Sequence, residues 1–345
     1  MLMPWNIIGH DRQIERFRRA TQNRRLASTF LFVGPAGIGK RTFAQQLAAA
    51  LLCEATTTVA LDPCGSCASC LQVAAGSHPD LHLVAKPPDK SMLPLELLIG
   101  DREHRMKAGL CYQMSLKPRA GKRKIAIIDD ADYLNAEGAN CLLKLLEEPP
   151  DQVVIFLLAE DYLSLLPTIV SRCQLIKLRP VLSSVISKVL QDVYGASFEL
   201  ARTLSGLSNG RPGWAISAFA DQEILDETTK ALHSTETLLD LSIEERLKYA
   251  SEITSRMSTE KKIARKNLML WTTWWRAVLF DKQDVLGTEK SGLTFESSHS
   301  AASTLSVLQI CNAIKSIQKA SYYLERNVNP RLIFEQLMLE LPNRR

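Results

Sequence analysis

Residues Thr29 to Leu52 decide what kind of domain this chain builds. Thr29-Phe30-Leu31-Phe32-Val33 is a short apolar run that reads as a buried strand. Gly34-Pro35-Ala36-Gly37-Ile38-Gly39-Lys40-Arg41-Thr42 follows it, and Thr42 to Leu52 reads as a helix. Strand, glycine-rich loop, helix is the context of a phosphate-binding loop, because free backbone N–H groups and the helix dipole face the loop. Gly34, Gly39 and Lys40, with Gly37 between them, fit the pattern G-x-x-x-x-G-K-[ST] up to its last position. There Arg41 stands where a Ser or Thr hydroxyl would hold magnesium, and Thr42 comes one place late.

The rest of the first half repeats the alternation. Ile14 to Arg25 is charged and helical in pattern, and Leu81-His82-Leu83-Val84 is a possible strand. Lys124 to Ile128 is an apolar strand running into Asp129 and Asp130. Asn135 can cap a helix through Leu146, which Pro149-Pro150 stops, and Val153 to Leu158 is a further apolar strand. Such alternation predicts an α/β domain with a mostly parallel sheet covered on both faces. Asp129 and Asp130 close their strand where a nucleotide hydrolase coordinates magnesium and polarises water. The second acid is usually glutamate. Asp130 is one methylene shorter, and a misplacement of about 1 Å can cost about a hundredfold in rate. The plainer alternative is that both acids cap a loop.

Strand signals vanish after Pro180. Val181 to Ile224 reads as a small helical unit broken at Ser208 to Gly213, and the pattern from Leu225 onward is helical. Trp271, Trp274, Trp275, Val278 and Leu279 recur at helical spacing as a core stripe, and the polar stretch Asp281 to Ser300 reads as a loop. No apolar run is long enough to span a bilayer and the first residues lack a signal-peptide layout, so a cytoplasmic protein without membrane contact is expected.

In a reducing compartment a cysteine cluster points to metal rather than disulfides. Cys53, Cys64, Cys67 and Cys70 form C-x10-C-x2-C-x2-C, a thiolate set suited to tetrahedral structural zinc. A redox pair or chance cluster is the alternative. Cys111, Cys141, Cys173 and Cys311 are scattered and read as buried side chains. The net charge of +5 and the run Lys117 to Lys124 permit nucleic-acid contact, although a solvated loop explains them as well. Ser171-Arg172-Cys173 follows the strand-rich region, and Arg172 is either an ion-pair residue or an arginine finger reaching a neighbour's γ-phosphate.

Taken in order, GPAGIGK, the four-cysteine insert, IAIIDDADYLN, CLLKLLEEPP, LLPTIVSRC and NVNPRLIFEQLML resemble the bacterial clamp-loader AAA+ ATPases, and within them the delta-prime group of DNA polymerase III. The resemblance spans the chain and is densest from Ile8 to Cys173. It implies an AAA+ P-loop domain over residues 1–180 with a zinc insert at 53–70, a helical lid over 181–224 and a helical collar over 225–345. It further implies a stator in DNA replication that lends Arg172 to ATP on an adjacent gamma/tau ATPase subunit. Partners would be gamma/tau and delta subunits, with the sliding clamp and primer-template DNA in the assembled complex.

Several nucleotide-site positions depart from the active pattern together. Ala159-Glu160-Asp161 stands where an active relative has a polar Thr or Asn sensor. Gly213-Trp214, with Arg211 nearby, replaces a later sensor arginine. Gly34, Gly37, Gly39, Lys40, Thr42, Asp129 and Asp130 are thus expected to form an ATP/Mg²⁺ site of weak or no hydrolysis. Two rivals stand beside this reading: an active clamp-loader ATPase, in which Thr42 reaches the metal, and a DNA-binding module built on the basic run.

Overall fold

The computed structural model describes residues 5–55, 61–120, 123–257, 261–283, 296–326 and 328–343. Gly121 and Lys122 of the basic run and residues 284–295 of the expected loop lie outside these. The chain divides into two compact units, Met1–Val181 with Arg211–Gly213, and Leu182–Gly210 with Trp214–Arg345.

The first unit is an α/β domain. Its strands are β1 (Thr29–Val33), β2 (Leu81–Val84), β3 (Lys124–Ile128), β4 (Val153–Ala159) and β5 (Gln174–Lys177). They form one parallel sheet in the order β2-β3-β4-β1-β5. Its helices are α1 (Asp11–Gln22), α2 (Lys40–Leu52), α3 (Ala68–Ala74), α4 (Glu96–Ile99), α5 (Gly109–Ser115), α6 (Ala136–Glu147) and α7 (Pro167–Val170). Parallel strands need crossover helices, which cover both faces and leave no wet side. This is why β1, β3 and β4 are buried at every position and, apart from Thr29 and Lys124 at the starts of β1 and β3, apolar.

Side-chain alternation sorts each strand between two cores. Phe30, Phe32, Ile125, Ile127, Phe156 and Leu158 pack on one face with Phe17 of α1 and Phe43 of α2. Leu31, Val33, Ala126, Ile128, Ile155 and Leu157 pack on the other with Leu142 and Leu146 of α6. Phe32 is the hub of the first face, its ring centroid 5.4 Å from Phe43 and 5.5 Å from Phe156. The Asn135 side chain accepts the Gly138 N–H and starts α6, which ends at Glu147 ahead of the proline pair.

β5 was not expected. Its residues Gln174-Leu175-Ile176-Lys177 carry little apolar signal because it is an edge strand with only Ile176 buried. The expected loop over Asp281 to Ser300 is also corrected at its described ends. Asp281 to Gln283 form the last residues of one helix, and another runs from Glu296. Polar helix ends carry no apolar periodicity to reveal them.

The second unit is helical: α8 (Ser183–Asp192), α9 (Phe198–Leu207), α10 (Pro212–Ala220, whose first residues belong to the first unit), α11 (Gln222–Thr237), α12 (Ile243–Met257), α13 (Lys261–Gln283), α14 (Glu296–Thr304), α15 (Val307–Glu325) and α16 (Pro330–Glu340). Trp271, Trp274 and Trp275 of α13 are fully buried in its core against Phe334, Leu337 and Leu207. The tryptophan stripe is core, as its spacing implies. Among the described residues no helix is long and apolar enough to cross a membrane.

Candidate functional site

The glycine loop leaves the C-terminal end of β1 between β4 and β5 and turns into α2. Gly34 admits no side chain, since a Cβ would stand 2.7 Å from the Leu178 carbonyl oxygen that follows β5. Gly39 has φ of 100°, a left-handed conformation that lets the chain enter the helix. Gly37 offers its carbonyl to the Gly213 N–H at 2.8 Å, so the segment Arg211–Gly213 closes against the loop.

Lys40, Thr42, Asp129 and Asp130 assemble around this loop, but the charges are satisfied internally. The Lys40 ammonium donates to the carbonyls of Gly34 at 2.6 Å and Pro35 at 3.3 Å. Burial pushes its pKa below the ordinary lysine value, and the Glu160, Asp132, Asp129 and Asp130 carboxylates pull the other way. Arg41 Nη1 lies 3.8 Å from Asp129 Oδ2. Thr42 is exposed on the first turn of α2. Asp130 sits in the left-handed region at φ of 56°, and its N–H donates to Asp129 Oδ1 at 3.0 Å. These residues do not fit a magnesium ion in the manner of an active P-loop. The hydroxyl ligand is missing from the position after lysine, and a guanidinium already faces the acid that would hold the metal.

The residue that follows β4 is acidic Glu160. Asp132 accepts the Glu160 N–H at 2.6 Å and so fixes that residue at the end of β4. Buried Arg211 is lowered to about 10 by desolvation, with Glu160 opposing the shift. Asp132 was absent from the expected site. Its role as an acceptor for the β4 loop depends on tertiary neighbours, although it lies within the DDAD run.

The cysteine insert is separate from this loop. Cys53 ends α2, Cys67 caps α3 and Cys70 lies within α3. The four sulfurs of Cys53, Cys64, Cys67 and Cys70 lie within 4.8 Å of one another. Cys53–Cys67 and Cys64–Cys70 Sγ distances are both 3.9 Å. A tetrahedron with zinc–sulfur bonds of about 2.3 Å has edges of about 3.8 Å, so the spacing fits zinc. The Cys67 N–H donates to Cys64 Sγ at 3.3 Å and the Cys70 N–H to Cys67 Sγ at 3.4 Å, bonds that favour thiolates. Hydrogen bonds from Ser66 and Cys67 lower the Cys64 thiol to about 6, whereas burial raises Cys70 to about 12. A bound cation would supply the charge that keeps all four deprotonated together. The scattered Cys111, Cys141, Cys173 and Cys311 are half-buried rather than buried as expected, and partial burial raises the Cys111 and Cys173 thiols to about 11 and about 12, against thiolate formation.

Arg172 lies at the N-terminal end of the strands, opposite the glycine loop. It lies two residues past the end of α7, and its carbonyl accepts the Thr29 hydroxyl at 2.6 Å at the start of β1. The glycine loop leaves the other end of that strand. With a rise of about 3.3 Å per residue, β1 holds the backbone of Arg172 well away from its own P-loop. The guanidinium pairs with Glu147 at the end of α6, with Nε donating at 2.6 Å and Nη2 also in contact. Nη1 donates to the Thr168 carbonyl at 2.9 Å. The Arg172 side chain remains about one third exposed (33%). Glu147 was missed by sequence reasoning, since nothing in LLKLLEEPP says which arginine its carboxylate meets.

The family described as DNA polymerase III, delta subunit, matches residues 9–182, half of the chain. Curated relatives sharpen this: the DNA polymerase III subunit delta' of Pseudomonas aeruginosa is 38% identical over 147 residues, covering 43% of this chain and 42% of the relative. The chain belongs to the delta-prime clamp-loader family of DNA polymerase III. A second delta-prime relative, from Bacillus subtilis, is 33% identical over 216 residues, covering 62% of this chain and 60% of its own. The chain therefore spans about half the length of the curated delta-prime relatives it matches. A solved gamma-subunit-related protein of DNA polymerase III from Thermotoga maritima overlays 95% of this chain and 97% of its own, with TM-score 0.36 and 16% identity.

Proposed function

We propose that this delta-prime family member is a stator of the DNA polymerase III clamp loader, with a P-loop domain that has lost hydrolysis and a fixed arginine that serves a neighbour. The placement of Arg172 carries the reading. A guanidinium held at the end of the sheet away from its own P-loop is of no use to that P-loop and is presented for another subunit. ATP on an adjacent gamma/tau subunit is the ligand it suits, because forked, permanently charged donors match phosphate oxygens. Delta subunits, the sliding clamp and primer-template DNA complete the proposed assembly in the cytoplasm. Residues 181–224 and 225–345 are proposed as lid and collar. Zinc at Cys53, Cys64, Cys67 and Cys70 is proposed as structural, with no open ligand position for catalysis.

The chain's own site supports little chemistry. Gly34 to Lys40 could cradle phosphates if Lys40 released the loop carbonyls, but Arg41 supplies no metal-binding oxygen and Asp130 replaces the usual glutamate. The purified chain should therefore turn over ATP far more slowly than an active AAA+ subunit. Arg41→Thr alone should restore little, since Asp130 and Glu160 remain. Turnover at the level of an active subunit, abolished by Lys40→Ala, would establish the rival ATPase reading instead.

A further inference from the structure

Arg172 is fixed by more contacts than a surface arginine needs. Its N–H donates to the Ile169 carbonyl at 3.1 Å and its own carbonyl accepts from buried Thr29, so the backbone is pinned on both sides. The Glu147 carboxylate then takes the Nε–H and lies in ion-pair contact with Nη2, and the Thr168 carbonyl takes an Nη1–H. Nη1 also lies 3.4 Å from Ser171 Oγ. The guanidinium has five N–H groups, more than these acceptors take, so it can still meet an incoming phosphate oxygen. Glu147 and Arg172 side chains are 47% and 33% exposed, so the pair contributes little to stability. Stability is therefore a poor reason for so constrained a geometry.

We infer that Glu147 is a positioning residue for Arg172, holding the guanidinium in one orientation before a phosphate reaches it. The inference rests on the proposed finger role. A long, flexible arginine that must find its ligand loses rotamer freedom at the moment of reaction. One already clamped through Nε and Nη2 has lost it on folding, and geometry in a phosphoryl-transfer site translates steeply into rate. The carboxylate holds the finger without taking every donor.

The test uses the reconstituted loader with Arg172→Ala, Glu147→Gln, Glu147→Asp and the Arg172→Ala/Glu147→Gln double variant. DNA-stimulated ATP turnover is measured against ATP concentration, and assembly is checked in each case. Glu147→Gln should lower kcat at least about threefold while KM for ATP stays within about twofold, the pattern of a contact made in the transition state. Glu147→Asp, which keeps the charge but withdraws it, should fall between Gln and wild type. The double variant should be no slower than Arg172→Ala, because the two residues act as one unit. If Arg172→Ala itself leaves turnover unchanged, the finger reading falls and this inference with it. If Arg172→Ala slows turnover but Glu147→Gln matches wild type or exceeds it, the positioning role alone is overturned. A double variant slower than Arg172→Ala would likewise remove it, since Glu147 would then act independently.

Discussion

Cys67 illustrates how far single residues carry the account. Its sulfur accepts the Cys70 N–H and lies 3.9 Å from Cys53 Sγ, while its own N–H donates to Cys64 Sγ. One residue thus ties together the cluster that starts α3. Native protein should hold one zinc per chain, and Cys67→Ala should lose it and loosen the insert while the β-sheet persists. Metal analysis by mass spectrometry, with hydrogen exchange over residues 61–80, checks both parts. Full metal content in Cys67→Ala would remove that residue from the ligand set. This site was legible in the sequence because cysteine spacing is local and the ligand chemistry is narrow. Glu147 was not legible, because its meaning depends on a residue 25 positions away that only the fold brings near. The Gly37–Gly213 contact was hidden for the same reason.

Elements differ in legibility by how much of their surface is buried. β1, β3 and β4 are apolar beyond Thr29 and Lys124, which open β1 and β3, and sequence reading places them within a residue or so. β5 failed because an edge strand with one buried residue gives no pattern, yet it is the strand that Arg172 leads into. In the helical unit the element with most at stake is the end of α16. Its last carbonyls would be orphans in the core, and Arg246 of α12 answers them. The guanidinium donates to the carbonyls of Met338 at 3.3 Å, Leu341 at 2.8 Å and Pro342 at 2.8 Å. Burial lowers its pKa, with Asp240 pulling the other way, but an arginine stays charged. Arg246→Met should destabilise the helical unit by about 3 kcal/mol, because charged hydrogen bonds are lost and buried carbonyls are left unpaired. Four of the five tryptophans belong to this unit, so fluorescence during urea unfolding reports it directly. A loss below about 1 kcal/mol would mean that water or a neighbouring donor replaces the arginine.

At the scale of the whole molecule, the account depends on a division of labour between the two ends of one strand. β1 carries a P-loop at its C-terminal end, where Lys40 is turned onto its own loop and Arg41 faces Asp129. At its N-terminal end Thr29 anchors Arg172. Under the proposed function the first end is a retained scaffold and the second a working part. Arg172→Ala and Lys40→Ala, each placed in the reconstituted loader, set these two ends against each other. The measurement is DNA-stimulated ATP turnover by the whole complex, with folding and assembly verified for both variants. The account predicts that Arg172→Ala lowers turnover, with part of the activity surviving at other subunit junctions, and that Lys40→Ala leaves it near wild type. If Lys40→Ala is the more damaging change, this P-loop hydrolyses ATP in its own right and the stator reading is contradicted.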